Sequence, residues 1–192
     1  MFTRVVFFLA KDSVDVKLSN GCSFHGKIRF LTSFGYFDNF SLLEGRAKLP
    51  DGSVVKIKDA KNNSVVINYT DGRIFEGSVL DPFLGKYEPT RGTMRLTNGD
   101  VFEGKSWGGM SFQALGTNGT GKYKLANGDL YDFYGPMSFL TGRANYTPVG
   151  EKPRKVWCDS LEVIAEEGSP LYKKLITEED ERIKKSGELI AR

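Results

Sequence analysis

The chain has 192 residues, 40% of them hydrophobic and 27% charged, with a formal net charge of +3. That length fits one domain with an appendage, and the scattered balance of 27 basic and 24 acidic residues argues against a nucleic-acid partner. Two cysteines and one histidine leave no disulfide framework and little for a metal site, while 22 glycines beside 14 phenylalanines suggest short strands joined by tight turns.

In chain order, the first apolar run is Val5 to Ala10, closed by Lys11. It is too short for a secretory core or a membrane span and reads as a first β-strand. The arginine-bearing, acid-free opening also suits an organelle-targeting remnant. Cys22 and Cys158 lie far apart and read as reduced thiols of an intracellular protein. The N-x-S/T triplets Asn68-Tyr69-Thr70 and Asn118-Gly119-Thr120 read as turn chemistry.

From there the sequence repeats itself. Gly21, Gly52, Gly72, Gly99 and Gly128 each follow Asn or Asp, and each has Leu or Tyr three positions earlier. Three positions later comes Phe24, Val55, Phe75, Phe102 or Tyr131. Further glycines recur on the flanks: Gly26, Gly77 and Gly104 after the turn, Gly45, Gly92 and Gly121 before it. The five turn glycines are spaced 31, 20, 27 and 29 residues apart, so the repeat core is fixed while its connectors vary.

Asn-Gly and Asp-Gly are strong hairpin signals because both residues tolerate positive φ. A three-residue loop such as Thr97-Asn98-Gly99, with glycine in the left-handed region, collects the apolar residues on one face. It predicts the pairs Met94 with Phe102, Tyr123 with Tyr131, Ile67 with Phe75, Val16 with Phe24 and Ala47 with Val55. Glycine at the far end of the strands leaves room for a neighbouring backbone or a large ring, and Trp107 is a candidate to fill it.

After residue 150 glycine thins out and Glu and Lys become frequent. Residues 151–154 read as a linker, Ser160 to Glu167 as two helical turns, and Thr177 as the start of a helix running to the end. Ser169 followed by Pro170 reads as a helix cap with a first-turn proline.

The stretch from Gly92 to Trp107, GTMRLTNGDVFEGKSW, resembles a MORN repeat (membrane occupation and recognition nexus). The family's unit is a glycine, an apolar strand, an Asn/Asp-Gly turn, then an aromatic, a glycine and a second aromatic at alternate positions. Residues 121–135 resemble it with Phe133 in place of the second glycine, 65–79 match the turn half, and 14–30, 45–57 and 142–146 are degenerate copies. The connectors are longer than is usual in the family.

The resemblance implies a mainly β fold: an elongated single-layer antiparallel sheet of stacked β-hairpins over 1–150, with a C-terminal linker and helical tail over 151–192. Such a sheet would leave its apolar row bare, and monomers rarely do so. Either the tail folds back over the row through Trp157, Leu161, Val163 and Ile164, or a partner covers it. The expected partner-binding groove is Phe75, Met94, Leu96, Phe102, Tyr123, Leu125 and Tyr131, with Trp107 as an anchor.

Nothing in the sequence assembles catalysis. His25 falls on the polar side of its strand, Cys158 sits beside Asp159, and Cys22 with His25 makes no zinc site. The glycine-rich Gly116 to Gly121 lacks the Lys-Ser/Thr of a phosphate loop. Asp100, Glu103, Asp129 and Asp132 are expected to face solvent or pair with Arg95 and Lys124. The expected function is therefore a non-catalytic scaffold or structural subunit, without cofactor or metal, holding a helix or extended segment of another protein. Its partners would be other subunits of a larger complex, with homodimerisation through a sheet edge as a further route. The alternative is an adaptor for phosphoinositides or a membrane surface, using Arg95, Lys105, Lys122 and Lys124. The expected location is cytoplasmic or cytoskeletal, or alternatively an organellar complex such as a mitochondrial one.

Overall fold

A computed structural model of the chain describes residues 13–17, 21–30, 40–59, 62–80, 88–105, 117–138 and 140–190. The strand expected over Val5–Ala10 and the residue Trp107 lie outside them. The fold is mainly β, with hydrogen bonding that follows chain order through a 13-stranded antiparallel sheet, and it ends in one helix. The chain divides into two units, Met1–Thr97 and Asn98–Arg192. The first holds β1 (Val14–Lys17), β2 (Ser23–Phe30), β3 (Phe40–Lys48), β4 (Val54–Asp59), β5 (Ser64–Asn68), β6 (Ile74–Leu80) and β7 (Glu88–Arg95). The second holds β8 (Val101–Lys105), β9 (Thr117–Lys124), β10 (Leu130–Ser138), β11 (Gly142–Thr147), β12 (Arg154–Asp159), β13 (Glu162–Glu166) and α1 (Pro170–Ile190).

The hairpins close as the Asn/Asp-Gly pattern dictates. Leu49 N–H donates to the Ser53 carbonyl at 2.9 Å, and Gly52 N–H to the Leu49 carbonyl at 3.0 Å. Tyr69 with Arg73 and Gly72, and Leu125 with Asp129 and Gly128, repeat both bonds at 2.9–3.1 Å. Gly52, Gly72 and Gly128 sit at φ +90°, +90° and +99°, where glycine alone is unstrained. The loops therefore have three residues, and the register follows: Val16 with Phe24, Ala47 with Val55, Ile67 with Phe75, Tyr123 with Tyr131.

Within each unit this register lines up side chains from strand to strand. In the first, the row runs Phe24, Ala47, Val55, Ile67, Phe75, Met94. In the second it runs Phe102, Tyr123, Tyr131, Tyr146. Cross-strand pairs of this kind are the unit of sheet stabilisation. The neighbouring row contains the glycine pairs Gly26 with Gly45, Gly77 with Gly92, and Gly104 with Gly121. A Cβ on Gly77 would lie 2.1 Å from the Arg91 carbonyl oxygen and 2.8 Å from Cζ of Phe75. The ring that fills the gap is thus the phenylalanine of the hairpin row, Phe75 here, Phe24 over Gly45 and Phe102 over Gly121.

The tail departs from expectation. Residues 154–159 and 162–166 are strands that continue the sheet, so the change in composition at residue 150 does not end it. Ser160 and Leu161, read as helical, are the two central residues of a tight turn at φ +51° and +69°. The helix begins at Pro170 as the Ser169-Pro170 cap implies, with Ser169 Oγ accepting the Tyr172 N–H at 3.2 Å, but it runs unbroken through Thr177, where another helix was expected to open.

Candidate functional site

The aromatic row was expected to be a bare groove. The structure places it inside: Phe75 and Met94 are 0% exposed, and Phe102, Tyr123 and Tyr131 are each 4%. Leu96 and Leu125, beside the turns, are half-buried. Burying a large apolar side chain contributes roughly 1.5–3 kcal/mol, so these residues act first as core. Their polar tips are satisfied within the second unit. Tyr131 Oη donates to the Leu161 carbonyl at 2.7 Å, and its ring stacks on Tyr146 at 4.6 Å. Burial, aided by the neighbouring Tyr146, pushes the Tyr131 hydroxyl up to about 12.

Two aspartates expected in solvent are structural. Asp100 is buried, accepts the Tyr123 hydroxyl at 2.9 Å and the Ala126 N–H at 2.8 Å, and so ties one hairpin to the next. Asp129 repeats the arrangement with Tyr146 at 3.1 Å and the Val149 N–H at 2.9 Å. The Val149 N–H, with Asn127 and Tyr146, holds the Asp129 carboxyl below its usual range. The signal was present as an acid directly after Asn98-Gly99 and Asn127-Gly128, followed by a tyrosine on the next strand of the row.

The tail does fold back on its own chain, but onto the opposite face from the aromatic row. Arg143 alternates with buried Ala144, and Tyr134 with buried Phe133. Arg143 donates to the carboxylates of Glu179 and Asp180, and the Tyr134 and Tyr172 hydroxyls are 3.0 Å apart. Glu179 is, with Asp100, a buried acid of this unit, at 2% side-chain exposure. Of the tail residues expected to dock, Trp157 is a half-buried residue of β12, Leu161 forms the turn that receives Tyr131, and Ile164 on β13 is 45% exposed.

In the first unit the same polar face carries no described element. Lys27 pairs with Glu44 at 3.9 Å and Lys58 pairs with Glu76. Arg46, Lys48, Lys56 and Arg91 are exposed and form no ion pair among the described residues. Val54 and Ile74 stand 38% and 39% exposed among them.

His25 is exposed and hydrogen-bonds Asp15 at 2.7 Å and Ser13 at 3.1 Å. Cys22 and Cys158 are buried, and burial pushes the Cys158 thiol up to about 12, away from the reactive thiolate. Among the described residues no three His, Cys, Asp or Glu side chains converge as metal ligands, and no helix is long and apolar enough to cross a membrane. No protein-family model matches the chain, and no curated protein matches it.

Proposed function

We propose that the chain is a non-catalytic scaffold of MORN-type hairpins, a structural subunit that holds a segment of another protein in an intracellular assembly. The observation that supports this most is the repeated hairpin itself. The same three-residue turn joins β3 to β4, β5 to β6 and β9 to β10, the same glycine pairs recur at β2–β3, β6–β7 and β8–β9, and the sheet presents exposed side chains in register. Repeat architectures of this kind build extended binding surfaces. Because Phe75, Met94, Phe102, Tyr123 and Tyr131 are interior, the contact belongs to other side chains than those of the row.

The test is native affinity purification of the full tagged chain, followed by the mass and composition of what is recovered. A stoichiometric protein complex is the expected result. Recovery of the chain alone, with salt-sensitive flotation on phosphatidylserine and phosphoinositide vesicles, would replace the scaffold by a membrane-surface adaptor.

A further inference from the structure

The polar face of the first unit is organised as an apolar centre inside a basic field. Strand pairing puts Val54, Asn68 and Ile74 on one row, so Val54 and Ile74 lie two strand spacings apart, about 10 Å. Half-buried Val66 occupies the adjacent row, between Lys56 and Glu76. Three carboxylates on this face are already engaged, Asp15 by His25, Glu44 by Lys27 and Glu76 by Lys58. The guanidinium and ammonium groups of Arg46, Lys48, Lys56 and Arg91 remain, with no ion pair among the described residues. Two shallow depressions open here, of about 570 Å³ beside Arg46, Lys48 and Val54, and about 560 Å³ between Arg46 and Lys58.

The second unit shows what such a face accepts. There, the chain's own helix α1 lies on the polar side of the sheet, with Glu179 and Asp180 on Arg143 and Tyr172 on Tyr134. The seat combines a hydrogen bond between two tyrosine hydroxyls with carboxylates on a sheet arginine. On the first unit's polar face the arginines, lysines and valine-isoleucine centre are present, and no acidic helix lies there among the described residues.

We propose that this face docks an acidic amphipathic segment of a partner protein, with apolar residues on Val54, Val66 and Ile74 and carboxylates on Arg46, Lys48 and Lys56. A helix rises 1.5 Å per residue, so apolar residues at i and i+7 span about the 10 Å between Val54 and Ile74. The inference rests on the scaffold reading and names its surface and the chemistry of its partner.

The probe is a synthetic amphipathic peptide with leucines on one helical face and glutamates on the other, titrated into the full chain by fluorescence anisotropy. A second peptide has glutamine for every glutamate. The glutamate peptide is expected to bind, to weaken at least tenfold in Arg46→Glu/Lys56→Glu, and to weaken as salt shortens the Debye length from about 10 Å at 0.1 M towards 3 Å at 1 M. Val54→Ser/Ile74→Ser, which keeps every charge, is expected to lose binding as well, with melting curves checking that both variants fold. No binding to the wild-type chain, equal binding by the glutamine peptide, or unchanged affinity in both variants overturns the proposal. Two other results also overturn it: preferential binding of phosphatidylserine vesicles through the same residues, or self-association that Arg46→Glu/Lys56→Glu abolishes. The two readings fail separately. A stoichiometric native complex that survives both double substitutions keeps the scaffold and discards this face, whereas recovery of the chain alone removes the scaffold.

Discussion

The two units have interiors of the same kind and differ in what lies on their polar side. In Met1–Thr97 the row of Phe24, Val55, Ile67 and Phe75 is buried, and the opposite face carries cations around Val54 and Ile74 that form no ion pair among the described residues. In Asn98–Arg192 the row of Phe102, Tyr123 and Tyr131 is equally buried, and α1 lies on the opposite face. The burial of an apolar row therefore says nothing about how the reverse of the sheet is used. The same strand alternation that hides one side chain presents the next, and each unit spends that presented side differently.

The strongest way to test that likeness is to crowd the interior of each unit. Gly92→Ala would bring a methyl within 2.2 Å of the Glu76 carbonyl oxygen, and Gly121→Ala within 2.4 Å of that of Glu103. Each is expected to destabilise by more than about 4 kcal/mol in chemical denaturation, since backbone cannot yield as a flexible side chain does. A mild effect in one unit alone would break the equivalence. The outer faces are separated by Glu179→Gln, which removes the buried one of the two carboxylates on Arg143 and leaves only the exposed Asp180. A loss of about 2–3 kcal/mol is expected, with faster amide exchange along α1. Lys58→Met, which breaks an exposed pair on the first unit, is expected to leave the unfolding midpoint unchanged.

Smaller effects distinguish the ties between hairpins. Asp100→Ala strands the Tyr123 hydroxyl and the Ala126 N–H and is expected to cost about 2–3 kcal/mol. Asp129 supplies a pH-dependent version of the same tie. Its folded carboxyl titrates below the unfolded one, so its contribution is complete above the unfolded value and is lost as pH falls through the folded value. Comparing urea midpoints at pH 6 and about pH 3 should show a smaller acid loss in Asp129→Asn than in the wild type, given unfolded Asp near 3.9.

Much of this was legible because the decisive signals are local. Asn98-Gly99 and Asp71-Gly72 fix the loop, the loop fixes the register, and the register fixes which residues share a row. The tail was misread because its turn lacks that signature. Two consecutive positive φ angles usually call for Asn-Gly, and here they fall on Ser160 and Leu161. What holds Leu161 is distant: the Tyr131 hydroxyl on its carbonyl at 2.7 Å, and the Leu140 carbonyl, which accepts its N–H at 3.4 Å. The helix seat was hidden for a similar reason. Arg143 and Glu179 are brought together only once β10 to β13 have paired, and no spacing in the chain announces it.

The turns have a consequence for how such a chain can change length. Gly52 packs under the Thr70 methyl and Gly72 under the Thr97 methyl, at 3.2 and 3.0 Å from an ideal Cβ. The two contacts are chemically the same joint. Removing residues 52–71 as a block would set Gly72 directly after Asp51, join β3 to β6 with their antiparallel sense intact, and re-form the joint with Thr97. Growth and shrinkage by whole hairpins are thus edits that the fold can absorb, while an edit of any other length must be taken up in the connectors at the other end of the strands.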